Sequence, residues 1–116
     1  MSDVTPPPFR TEKRGEFTVV HLTGPKIELE ARESLYRLIE QQAIQKLVLN
    51  LEDVKVLTSA PIGMLVNLRN KMGSVGGMLV LCRVSPDIRE ILRLTAVEEL
   101  FTILDTEQDA TAFHQR

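Results

Sequence analysis

Apolar and polar positions change their period several times along the chain, and each change marks an element. In FTVVHL, Phe17, Val19 and His21 alternate with Thr18, Val20 and Leu22, the period of two that a strand requires. The segment before it, from Phe9 to Arg14, is mixed and charged, and Gly15-Glu16 can turn the chain, so an N-terminal hairpin is expected. After Thr23-Gly24-Pro25 the period becomes helical. Ala31, Leu35, Leu38, Ile39 and Gln42 fall on one face and Arg32, Glu33, Arg37 and Glu40 on the other, which predicts an amphipathic helix of about three to four turns. In KLVLNLEDVKVL the residues Leu47, Val48, Leu49 and Leu51 form a nearly unbroken apolar run, suited to a central strand covered on both faces. A second run begins at Met78. Because a helix follows each run and must cross back over the sheet, the two are expected to be neighbouring, mainly parallel strands.

The chain is organised around VLTSAPIGMLVNL. An apolar run ends at Leu57, two hydroxyl residues follow, and Pro61 suits the first turn of a helix, where its missing N–H costs nothing. Ser59 therefore has two readings. It can be the N-cap of the helix, or it can carry an anion such as a phosphate, which the unpaired N–H groups and the dipole would stabilise. The helix, expected over about 61–72, is apolar around much of its circumference: Ile62, Met64, Leu65, Val66, Leu68 and Met72, against Asn67, Arg69, Asn70 and Lys71. That is more than one buried face needs, so Met64 or Leu68 is expected to be partly exposed on a partner surface.

The glycines Gly73, Gly76 and Gly77 lie between a helix and a strand, the reverse of a phosphate-cradling loop, and read as helix termination and a turn. Ser85-Pro86 opens a helix carrying Ile88, Ile91 and Leu92. Capping boxes are read at Thr95-Ala-Val-Glu98 and, with a shorter acid, at Thr106-Glu-Gln-Asp109; FTIL between them is a short last strand, and Ala110, Phe113 and His114 close the domain. Residues 1–8, with three consecutive prolines, read as a flexible tail.

Composition narrows the function classes. With 116 residues, 43% hydrophobic, the chain suits one domain with one core. The formal charge of -2 and the scattered Lys and Arg argue against nucleic-acid binding. No stretch approaches the roughly 18 apolar residues of a membrane span, the N-terminus has no signal-peptide core, and a lone cysteine fits a reducing compartment, so a cytoplasmic protein is expected. Cys82 lies inside MLVLC and is expected to be buried. No nucleophile, base and orienting acid come together, and no metal-ligand spacing appears, so neither catalysis, a metal nor a cofactor is expected. His21 has no second ligand nearby in sequence and is given no role. Glu28, Glu30 and Glu33 suit a helix N-terminal turn.

LVLNLEDVKVLTSAPIGMLVNL, followed by GGMLVLCRVSPDIREILRLTAVEELFTILDTEQDA, resembles the STAS family, the domain found in bacterial anti-sigma factor antagonists and in the cytoplasmic tails of anion transporters. The likeness covers about 9–113. It rests on the order and spacing of Asn-Leu-Glu-Asp before the bend, Gly-Gly before an apolar strand, Ser-Pro opening a helix, and Leu-Thr-Ala-Val before the last strand. The resemblance implies a single α/β domain over 9–116, with a mixed sheet of four or five strands flanked by helices. It also implies a binding protein, not an enzyme. Antagonists of the family bind a kinase that is also an anti-sigma factor, and are switched off by phosphorylation of a serine at the start of the helix after the central strand. The family pattern Asp-Ser-Ser/Thr-Gly-Leu falls on Thr58, Ser59, Ala60, Pro61 and Ile62, which makes Ser59 the phosphoacceptor, while a further acid of the family falls on Ile27. The implied docking face is the helix surface over 62–71, with Thr58, Ile62, Met64, Asn67, Leu68 and Lys71 as partner-binding residues. The alternative is a STAS interaction or scaffold subunit of a signalling or transport complex without the switch. A small-anion or nucleotide binder using the same helix N-terminus is a third reading.

Overall fold

The computed structural model describes residues 8–113. The tail expected at 1–8 lies outside the described residues apart from Pro8, and so does His114. β1 (Phe9–Arg14) and β2 (Phe17–Leu22) form the expected antiparallel hairpin, with Phe9 opposite Leu22 and Arg14 opposite Phe17. Gly15 takes the left-handed φ of 64° that the two-residue turn needs. There follow α1 (Leu29–Gln41), β3 (Lys46–Asn50), α2 (Ser59–Ser74), β4 (Met78–Cys82), α3 (Pro86–Leu94), a single 3-10 turn (Glu98–Leu100), β5 (Thr102–Leu104) and the short α4 (Glu107–Thr111).

The five strands lie in the order β1-β2-β3-β4-β5, and every pair after the hairpin is parallel. β3 and β4 are neighbours with Leu47 beside Leu79 and Leu49 beside Leu81, as the two apolar runs predict. Strands added in sequence order by crossovers of one hand must return on one side of the sheet. Accordingly Ala31, Leu35 and Ile39 of α1, Leu65, Leu68 and Met72 of α2 and Ile88 and Leu92 of α3 form one core with Val20, Leu22, Leu47, Leu49, Leu79 and Leu81. The alternate strand residues Phe17, Val19, Val48, Val80 and Cys82 face the other way, against Ala110 of α4 and Phe113. β3 is therefore covered on both faces, but by three helices on one side and a single short one on the other.

Four local readings need correction. Met64 is 3% and Leu68 0% exposed, so the surplus apolar residues of α2 are used by the core and not by a partner surface. The core reaches them because α2 sits above the centre of the sheet, where it is also flanked by the other two helices. Ser59 is not the N-cap: Thr58 is, with extended backbone and no capping bond from its side chain. Thr95 opens no helix; it ends α3, and its hydroxyl donates to the carbonyl of Ile91 at 2.8 Å. Gln42 lies just past α1 and is exposed. By contrast Ser85 and Thr106 do cap, accepting from the N–H of Ile88 and Asp109 at 3.2 and 3.0 Å. The paired glycines have separate tasks. Gly76 takes a φ of 75°, and Gly77 lies so close to the chain entering β3 that a Cβ on it would stand 2.0 Å from the carbonyl oxygen of Gln45.

Candidate functional site

Both loops that matter leave the C-terminal ends of parallel strands. After β3 the chain turns through Glu52 and Asp53, is pegged by the buried side chains of Val54 and Leu57, and reaches α2 at Thr58. The N–H groups of Lys55 and Val56 both donate to the carbonyl of Pro25, at 2.8 and 3.0 Å, tying this loop to the one between β2 and α1. The first intrahelical bond runs from the N–H of Ile62 to the carbonyl of Thr58. That puts Ser59 at the first helical position, exposed, with Ala60 next and Pro61 buried at the third.

The N–H groups of Thr58, Ser59 and Ala60 precede the first intrahelical bond, and Pro61 has none to leave unpaired. No acidic residue stands in this first turn. A negative group on the Ser59 hydroxyl would thus meet the positive end of the helix without a like charge from its own turn. Ile27, where the resemblance implied an acid, is buried in the core. Of the residues expected to bind a partner, Thr58 and Asn67 are exposed, Ile62 and Lys71 are half-buried, and Met64 and Leu68 are inside. Lys71 is engaged with Glu40 of α1 at 3.0 Å. Gly63 and Val66 share the outward side, so the surface near Ser59 is small, neutral and partly apolar.

The turn before this loop is held from the far face of the sheet. Asn50 is a polar side chain only 3% exposed, and both ends of its amide are engaged: its Oδ1 accepts from the N–H of Glu52 at 2.9 Å and its Nδ2 donates to Glu107 of α4 at 2.6 Å. Glu107 in turn accepts from Arg14 of β1 at 2.9 Å. This explains physically why an asparagine stands at the bend. The same turn brings Asp53 to His21, whose Nε2 lies 3.0 Å from Oδ2, while Arg10 donates to Nδ1 at 3.0 Å. His21 therefore does have carboxylate neighbours, a fact that sequence spacing concealed because they arrive from 31 and 32 positions away, counting from 21 to 52 and 53. Among the described residues, His21, Glu52 and Asp53 are the one group of three whose ligand atoms lie together, all within 4.8 Å.

Cys82 is buried, as expected, and burial, reinforced by the Glu107 carboxylate, pushes its thiol up to about 12. It is a packing residue, not a nucleophile. No helix among the described residues is long and apolar enough to cross a membrane.

Comparison with known proteins agrees with this architecture. The STAS domain family matches residues 9–110. A STAS-domain containing protein of Pseudomonas aeruginosa (strain UCBPP-PA14) is 29% identical over 91 residues, which cover 77% of this chain and 89% of that one. An anti-sigma-factor antagonist (STAS) domain protein from Planctomyces limnophilus is similar with a TM-score of 0.75 and 26% identity, over 89% of this chain and 94% of that one. The anti-sigma factor antagonist SpoIIAA has the same fold in its unphosphorylated form (TM-score 0.72, 21% identity, 88% and 91% of the two chains). So does the phosphorylated form of SpoIIAA, described as a Bacillus cell fate determinant (0.65, 22%, 88% and 95%). With nearly all of the sheet and helices inside the matched region, the chain belongs to the STAS domain family.

Proposed function

We propose that the chain is an anti-sigma factor antagonist-like regulator, which binds an anti-sigma factor that is also a serine kinase and is switched by phosphorylation of Ser59. One observation carries this reading: Ser59 is exposed at the first position of α2, no side-chain hydrogen bond holds its hydroxyl among the described residues, and no acid opposes a phosphate there. SpoIIAA, which shares the fold, is known in a phosphorylated form. The partner surface is the outward side of the first half of α2: Thr58, Ile62, Gly63, Val66 and Asn67, with Lys71 at its far end. Phosphorylation adds about -1.5 to -2 charges beside this neutral surface while the helix end accommodates them, so the fold survives and binding is lost.

A non-phosphorylated STAS scaffold subunit is the second reading, favoured by Thr58 and Pro61 where the family pattern has an acid and a glycine. One experiment separates the two. Incubation with ATP and an extract of the source cells should add one phosphate by intact mass to the natural chain and none to Ser59→Ala. Ser59→Asp should keep its melting temperature and weaken binding of the purified kinase, and Ser59→Ala should bind constitutively. Equal affinity of the two variants together with no phosphate on the natural chain establishes the scaffold.

A further inference from the structure

We propose that His21, Glu52 and Asp53 form a binding site for a divalent transition-metal ion, on the face of the sheet opposite α1, α2 and α3. One ligand atom from each lies within 4.8 Å of the others, and His21 Nε2 and Asp53 Oδ2 are already 3.0 Å apart. Ligands bound at about 2.0–2.2 Å from one zinc-like ion stand roughly 3 to 3.5 Å from each other, so this pair needs little rearrangement. Glu52 supplies the remaining closure, because its side chain is exposed and unencumbered by packing.

The three groups are placed by rigid parts of the fold. His21 is on β2 beside Asn50 of β3, and its side chain is only 15% exposed. Glu52 and Asp53 sit on the turn that Asn50 holds by accepting the Glu52 N–H, and Leu51 and Val54, both buried, peg the turn on either side. Asp53, 47% exposed, leaves room for solvent to complete the coordination.

The charges around the site set its chemistry. A guanidinium can only donate, so His21 Nδ1 accepts from Arg10 and its proton sits on Nε2, facing Asp53. A metal ion takes the place of that proton. The imidazole then carries its hydrogen on Nδ1, two donors face each other, and Arg10 must swing away. Arg10 is an exposed side chain on an edge strand, so its release is inexpensive. In the natural chain Arg10 thus holds the tautomer that does not bind metal through Nε2, and its release is part of binding. One imidazole with two carboxylates suits Zn²⁺, Co²⁺ or Ni²⁺ over Mg²⁺ or Ca²⁺, which prefer oxygen ligands alone.

The proposal is independent of Ser59 and is tested on the full chain with any affinity tag removed. Titration with Co²⁺, read by its visible absorption, and with Zn²⁺, read by calorimetry, should show saturable binding of one ion, with Mg²⁺ binding far more weakly. His21→Gln should abolish it, Glu52→Gln should weaken it roughly tenfold or more, and Arg10→Ala should tighten it by freeing Nδ1 to carry the proton. Because Glu52 is exposed, Glu52→Gln carries the test if His21→Gln folds poorly. Absence of saturable binding, unchanged affinity in Glu52→Gln, or equal affinity for Mg²⁺ overturns the proposal.

Discussion

Replacing Asn50 by alanine tests whether the bend before α2 is held as described. The substitution removes a donor that reaches the Glu107 carboxylate at 2.6 Å and an acceptor that takes the Glu52 N–H at 2.9 Å, in a place only 3% exposed. A hydrogen bond to a charged group contributes about 1.5–3 kcal/mol and a neutral one about 0.5–1.5, so their joint loss is worth roughly 2–4 kcal/mol. Water reaching the vacated space lowers that figure; an unsatisfied Glu107 oxygen raises it. For a domain of this size the melting temperature should fall by about 4 °C per kcal/mol, or roughly 8–16 °C in all. Urea unfolding at pH 7 gives the free energy, and a double-mutant cycle with Glu107→Ala gives the coupling, expected at about 1 kcal/mol or more. Loss of less than about 0.5 kcal/mol, or zero coupling, would mean that the strand and the buried leucines alone shape the bend, and the account given for Asn50 would be refuted.

Two further outcomes follow from the same geometry. Gly77→Ala drives a Cβ onto the backbone of Gln45, whose carbonyl also accepts the Met78 N–H at 2.8 Å, so unfolding experiments should show a loss of about 1–3 kcal/mol or more. Gly73→Ala, inside α2 with nothing within 4 Å of the added carbon, should instead be neutral or stabilise by up to about 1 kcal/mol; equal effects at the two glycines would contradict the close approach. Cys82 has a folded pKa raised to about 12, so its thiol stays protonated in the native state while the unfolded chain ionises near its ordinary value of about 8.5. Stability from this group is therefore complete below about pH 8.5 and declines as pH rises toward 12, by about 1.4 kcal/mol per unit at most, and Cys82→Ala should flatten that part of a stability–pH curve. An unchanged slope in the variant, or rapid alkylation of the native thiol at pH 8, contradicts its burial.

Much of the fold is legible along the chain because periodicity is a local property. The alternation in FTVVHL and the runs in KLVLN and MLVLC mark strands, the helical spacing of Ala31, Leu35 and Ile39 marks the buried face of a helix, and each of these elements forms where its pattern lies. Ser85-Pro86 and Thr106 also act within a single turn, and the chain's own neighbours suffice to satisfy them. What periodicity cannot express is how much burial a face will receive. Met64 and Leu68 exceed what one helix face can bury by itself, whereas in the fold α2 shares one core with α1 and α3, and that common core encloses them. Thr95 likewise met a capping pattern, but the chain leaving α3 used its hydroxyl to close the helix behind it instead of opening one ahead. Ser59 could be recognised as a residue at a helix start; whether it or Thr58 was the cap depended on where the loop from Leu57 released the chain. His21 shows the limit most clearly. Its partners Arg10 and Asp53 come from the adjoining edge strand and from a turn after the next strand in the sheet, and only the pairing of β2 with β1 and β3 brings charges so distant in sequence within hydrogen-bond reach.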